Sequence, residues 1–169
     1  MVIITGVILA NLKQGAKNDN LRLGASELAT ICRKVQNLSL IGSEQSLPPG
    51  VLNNNGIFGI HFDLNRETEY RLFLDFKNEA EENAPDGKYQ TGEELPNAVY
   101  FLPRDIIVSG LTPQENNVLD ITFQPPKPVI YFNGLNEEAS SEIVLVHAST
   151  NKTRRIIINR VSGQISIIE

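Results

Sequence analysis

Leu21-Arg22-Leu23-Gly24-Ala25-Ser26-Glu27-Leu28-Ala29-Thr30-Ile31-Cys32-Arg33-Lys34-Val35-Gln36-Asn37-Leu38-Ser39-Leu40 is the stretch from which the rest of the chain is read. Leu21, Ala25, Leu28, Ile31, Cys32, Val35 and Leu38 recur at spacings of three and four, which places them on one stripe of a helix with a 3.6-residue period. Arg22, Ser26, Arg33, Lys34 and Asn37 fall mainly away from that stripe. Gly42 and then Pro48-Pro49-Gly50 are stop signals. Upstream, Met1 to Ala10 is almost wholly apolar. That is too short to span a bilayer, which takes about 18 apolar residues, and too apolar for an exposed chain end. Asn18-Asp19-Asn20 is expected to weaken the helix between these halves, because short polar side chains compete for the backbone.

Downstream the period changes from 3.6 to two. Phe58, Ile60 and Phe62 alternate with Gly59 and His61. Tyr70, Leu72, Leu74 and Phe76 alternate around Arg71 and Asp75, and Leu119, Ile121 and Phe123 around Asp120 and Thr122. Each pattern predicts a strand with one buried face. Residues 99–101, 106–108, 129–132 and 143–146 are further short strand candidates. The chain closes with Arg154 to Val161, Ser162-Gly163, and Gln164 to Ile168, two β-rich runs around a tight hairpin turn. Links this short make antiparallel neighbours. The expected fold class is α+β, a long N-terminal helix (1–41) packed on an antiparallel β-sheet domain (42–169). Residues 42–56 read as a linker, and 77–97 as an acidic polar loop.

Composition bounds the function. The chain has 169 residues, enough for one domain with a sizeable core and no need of metal or disulfide staples. With 41% hydrophobic and 21% charged residues it is an ordinary folded composition. A net charge of −5 argues against general nucleic-acid binding, which needs a basic footprint. Charge is unevenly spread: residues 1–41 carry +3 and the remainder −8. One cysteine excludes an internal disulfide. No Gly-x-Ser-x-Gly elbow, phosphate loop, His-Glu-x-x-His or Cys-x-x-Cys is present.

The order of these elements, with these residues, resembles type IV pilin-like proteins, and among them the minor pseudopilins of type II secretion. Leu21 to Leu40 is similar to the family's helix, in which small residues and leucines precede an arginine and then a Gln-Asn pair. Asn159-Arg160-Val161-Ser162-Gly163-Gln164-Ile165 is similar to its closing hairpin, and Gly56 to Asp63 with Glu69 to Asp75 to the two strands after its helix. The resemblance implies a non-enzymatic structural subunit that initiates, caps or completes a filament. Its partners would be other pilins or pseudopilins, with the bacterial inner membrane as its anchor before assembly, an extracytoplasmic location, and neither a nucleic acid nor a small-molecule substrate. Val7, Ile8, Leu12, Leu21 and Leu28 would be assembly positions on the helix, with residues 1–16 projecting. Family members begin with a basic leader, a processing glycine and a glutamate. Met1 to Ala10 looks like the distal half of their membrane helix, so an N-terminally truncated member is expected.

Candidate chemistry is sparse. Glu82 to Glu93 is a twelve-residue acidic run in which Glu82, Asp86, Gly87 and Glu93 fall where a calcium loop places its first, fifth and sixth residues and its last. Ala84 does not fit. Calcium through Glu82, Asp86 and Glu93 is the one metal reading, and no other cofactor is expected. It leads to the alternative function, a soluble β-rich module for a small ligand, glycan or calcium. His61 and His147 have no evident nucleophile beside them and read as ordinary histidines. Cys32, on the apolar stripe, reads as buried and structural. Lys152, Arg154, Arg155 and Arg160 form a small basic cluster split between strand faces. An enzyme would need a pocket gathering Asp63, Asp75, Asp105 or Asp120.

Overall fold

A computed structural model describes residues 2–41, 57–76, 85–124 and 129–169, with helix side chains described for Lys17 and residues 19–40. One helix, α1 (Val2–Ile41), precedes nine strands: β1 (Ile57–Asp63), β2 (Glu69–Asp75), β3 (Glu94–Phe101), β4 (Ile106–Thr112), β5 (Val118–Gln124), β6 (Val129–Phe132), β7 (Ser140–His147), β8 (Thr153–Asn159) and β9 (Ile165–Ile168). The strands form two sheets, a five-stranded one in the order β3-β2-β1-β5-β6 and a four-stranded one in the order β4-β7-β8-β9. Every pairing is antiparallel.

This corrects the expected fold class. The chain is a mostly β protein of two antiparallel sheets with one helix, not an α+β helix on a single sheet domain. The chain changes sheet between β3 and β4, between β4 and β5, and between β6 and β7. Alternating patterns reveal a strand's buried face but not which strand lies beside it, so the division into two sheets had no signature in the periodicity.

The helix is continuous through Asn18-Asp19-Asn20, against the expected weakening. Leu21, Ala25, Leu28, Cys32 and Val35 are buried as the stripe predicts, while Ile31 and Leu38 are half-buried at its margin. Ala29 and Ser39 are also fully buried. Ser39 hydroxyl donates to the Phe123 carbonyl, which satisfies a polar group that would otherwise be costly to bury. The stripe packs on both sheets, touching β1 and β5 of one and β4, β7, β8 and β9 of the other. Phe58, Ile60, Phe62, Leu72, Leu119, Ile121, Phe123, Ile143, Leu145, Ile156 and Ile158 complete one continuous core.

Two contacts pin α1 to the C-terminal hairpin. Arg33 guanidinium donates to the Ile165 carbonyl at 2.9 Å, and Gln36 Nε2 to the Gly163 carbonyl at 3.1 Å. Asn159 Oδ1 shapes that hairpin by accepting from the Val161 and Ser162 amides and the Ser162 hydroxyl. The predicted Ser-Gly hairpin is therefore present, with Gly163 at φ +68. β3 begins at Glu94, inside the stretch read as the acidic loop. The linker 42–56 lies outside the described residues.

Candidate functional site

Two surfaces carry clustered side chains: the flank of the helix, and the outer face of the five-stranded sheet. On the flank, Leu23 and Phe101 are more than half exposed. With Ile31, Tyr70 and Tyr100 they line an open groove of about 320 Å3 between α1 and the edge strand β3. Tyr70 and Tyr100 stack at 5.5 Å between ring centres. Leu21 and Leu28 are buried against the sheets. The side chains of Val7, Ile8 and Leu12 are not among those described.

The outer sheet face is built by cross-strand register. His61 lies opposite Arg71 on β2 and opposite Asp120 on β5, and Gly59 lies opposite Phe73 and Thr122. These side chains share the face away from the helix. Gly59 is what lets them fit, because a Cβ there would overlap the Phe73 ring. The imidazole Nδ1 of His61 lies 2.8 Å from Asp120 Oδ1. Asp120 is itself fixed by Asn133, whose Oδ1 accepts from the Asp120 amide at 2.8 Å while its own amide donates to the Asp120 carbonyl. Asn133-Gly134 forms a tight turn with both residues at positive φ, closed by the Phe132–Leu135 bridge.

Residues 85–93 lie across this face. The Gly87 amide donates to Asp75 Oδ2 at 2.6 Å, and the Tyr89 amide to Asp120 Oδ2 at 3.2 Å. The Tyr89 ring sits 4.3 Å from the His61 ring and edge-on to Phe73 at 5.6 Å. Its hydroxyl bonds the Glu94 carboxylate and receives a bond from Arg71 at 3.3 Å. Gly87, at φ +77, packs backbone to backbone on Gly134, so neither position has room for a side chain. Lys88 reaches outward to Glu115 at 2.8 Å, which pushes its ammonium value up.

The charges here are strained by burial. Asp75 is 2% exposed, and desolvation pushes its carboxyl up to about 6 against the pull of the Gly87 hydrogen bond. Burial, aided by the negative charges of Asp75, Asp86 and Asp120, pushes Glu93 up to about 7. The Tyr89 hydrogen bond holds Glu94 below the usual carboxylate range.

Of the four carboxylates considered for an enzyme, the structure brings Asp75 and Asp120 together. Asp63 instead caps the one-turn 3-10 helix Leu64–Arg66, and Asp105 sits in a left-handed turn entering β4. Of the calcium-loop residues, Asp86 and Glu93 lie in the segment across the outer sheet face, and Glu82 lies outside the described residues. Among the described residues, no group of three or more His, Cys, Asp or Glu converges on a metal position. The chain continues from Glu93 as a strand, whereas a calcium-binding helix-loop-helix would continue as a helix.

His61 lies on the non-apolar strand face as expected, but it has a carboxylate partner that sequence reasoning did not supply. Both residues stood on predicted outward faces, so only the pairing of β1 with β5 was missing. The Asn133-Gly134 turn has a sequence signal of its own, since Asn-Gly before an apolar residue marks a tight turn. His147 ends β7, buried, with Nε2 unpartnered among the described residues. Cys32 is fully buried, and desolvation pushes its thiol up to about 12. The basic cluster is dispersed: Arg154 pairs with Glu169, Arg155 with Glu142, and Arg160 donates to the Glu138 carbonyl.

Among the described residues no helix is long and apolar enough to cross a membrane. No protein-family model, curated protein or solved structure matches the chain.

Proposed function

We propose that the chain is a non-catalytic structural subunit of a type IV pilus or type II secretion filament, working through helix packing and protein–protein contacts. The observation that carries this reading is the length of α1. Its 40 residues span about 60 Å at 1.5 Å per residue, whereas the strands it lies against have four to eight residues and span about 27 Å at most. The described buried stripe runs from Leu21 to Ser39, and the helix continues upstream to Val2 through an apolar sequence. An apolar helix longer than its own domain has surface to bury against a second molecule, at about 25 cal/mol per Å2. The contact of Arg33 and Gln36 with the closing hairpin adds support, since it joins the two stretches on which the resemblance rests. On this reading other pilins or pseudopilins are the partners. The chain is held at the bacterial inner membrane before assembly, and the strands and turns face outward.

The test is self-association. Sedimentation of the full chain in detergent-free buffer and in mild micelles should show concentration-dependent oligomers. The Val7→Asp/Ile8→Asp double variant should be monomeric with an unchanged melting temperature. A chain that stays monomeric under both conditions would overturn the reading. A second reading, a calcium-binding module, draws on the sequence run in which Asp86 and Glu93 stand at calcium-loop spacing. A large calcium-dependent rise in melting temperature without self-association would favour it.

A further inference from the structure

The groove on the flank of α1 faces solvent, and the sequence of the same helix carries a segment that matches it. We propose that the groove receives the N-terminal half of α1 from a second copy of this chain, in an antiparallel pair of helices centred on Asn20.

Two apolar hollows follow one another between α1 and β3. The first, of about 320 Å3, holds Leu23, Ile31 and Phe101. The second, of about 280 Å3, holds Leu38, Leu72, Leu95 and Pro96, and Tyr100 lines both. Leu23, Glu27, Ile31, Lys34 and Leu38 are among the helix residues that border them, at spacings of three and four. The helix is unbroken from Val2, so the same period carries this line upstream through positions Asn20, Ala16, Lys13, Leu9 and Val2. Read in the two directions, the line complements itself. Turned antiparallel about Asn20, Val2 falls beside Leu38, Leu9 beside Ile31, and Lys13 beside Glu27. Leu9 and Val2 are seven residues apart, as are Ile31 and Leu38, so one apolar position meets each hollow at a separation of about 10 Å.

Charge decides the orientation. Glu27 is exposed at the groove and has no ion-pair partner within 4.0 Å among the described residues. Residues 1–17 hold Lys13 and Lys17 and no Asp or Glu. Antiparallel pairing brings Lys13 to Glu27 twice by symmetry. A parallel pair in register would instead set Lys13 against Lys13 and Glu27 against Glu27. Lys34 falls beside Gly6, which leaves its stem room to lie along the groove with the ammonium in water. The contact is isologous, so it closes on two chains, each covering the apolar run of the other. Leu23 and Phe101, now 53% and 71% exposed, are taken out of water in the same event. The pair concerns the chain in solution and does not depend on the filament reading. A helix held this way is withheld from any parallel bundle until the pair separates.

The experiment combines cross-linking with a charge exchange, both on the full chain. Leu9→Cys mixed with Ile31→Cys, one of the two carrying a mass tag, should give a disulfide-linked mixed pair under mild oxidation. Cys32 is fully buried and stays out of that reaction. A disulfide between two Leu9→Cys chains in place of the mixed pair marks parallel packing and overturns the proposal. In sedimentation equilibrium, Lys13→Glu should raise the dissociation constant of the dimer about five- to tenfold, and Lys13→Glu/Glu27→Lys should restore it. An unchanged constant in the single variant, or an exchange that restores nothing, overturns the antiparallel register. An unaltered chain that stays monomeric up to its solubility limit overturns the pair altogether. Should Ile31→Cys not fold, Lys13→Cys mixed with Glu27→Cys takes its place: a mixed disulfide supports the proposal, and its absence overturns it.

Discussion

Gly59 shows how one residue sets a whole face. It lies in β1 opposite Phe73, and a Cβ there would collide with that ring and approach Thr122 Cγ2 to 2.9 Å. Gly59→Ala should cost about 1–3 kcal/mol of stability in denaturant unfolding, the usual range for overpacking, and Phe73→Leu in the same chain should recover part of it. Cys32 makes the opposite case, a side chain with reactive chemistry silenced by position. Burial pushes its thiol up to about 12, opposed by Arg33. The native chain should not react with a thiol reagent at pH 8, and the unfolded chain should react at the rate of an ordinary cysteine. Cys32 was legible from the sequence, because its place on a helical stripe already implies its environment. The pairing of His61 with Asp120 was not, because it depends on which two strands are neighbours.

At the scale of elements, α1 is held by its stripe and by two polar anchors. Leu28 is fully buried, and Leu28→Ala should destabilise by about 2–5 kcal/mol, whereas Leu23→Ala, at a position 53% exposed, should change stability by about 0.5 kcal/mol or less. Thermal or denaturant melts of the two variants check the contrast. The strands behave alike in one respect: β1, β2, β5 and β6 fall where alternation or an apolar run places them. β3 departs from this. It begins at Glu94 and includes Pro96 and Asn97, the latter at φ +57, beside a register shift between Arg71 and Phe73. It is an edge strand, where a proline and a bulge are tolerated and where polar residues hide the strand from a pattern search.

For the whole molecule, the buried carboxyls make stability depend on pH in an unusual direction. Asp75 has its folded value raised to about 6 from 3.8, so its contribution is present at low pH and lost as pH rises through about 6. Denaturant unfolding should show Asp75→Asn removing about 2 kcal/mol of the stability lost between pH 4.5 and 7.5, with the variant the more stable chain at pH 7.5. The two-sheet architecture makes this possible. One face of the five-stranded sheet is taken by α1 and the second sheet, and among the described residues it is 85–93 that lie across the other.

The sequence by itself determined the helical stripe of Leu21 to Val35, the inward faces of most strands, the closing Ser-Gly hairpin and the burial of Cys32. Those are local facts, set by periods of 3.6 and two and by turn chemistry. Only the tertiary structure decided that the strands divide into two sheets, that Asp75 and Asp120 both accept backbone amides of one segment, and that Arg33 and Gln36 hold the hairpin. Those contacts join residues up to 132 positions apart. Their geometry follows from strand order and register, and neither is written in the spacing of residues along one element.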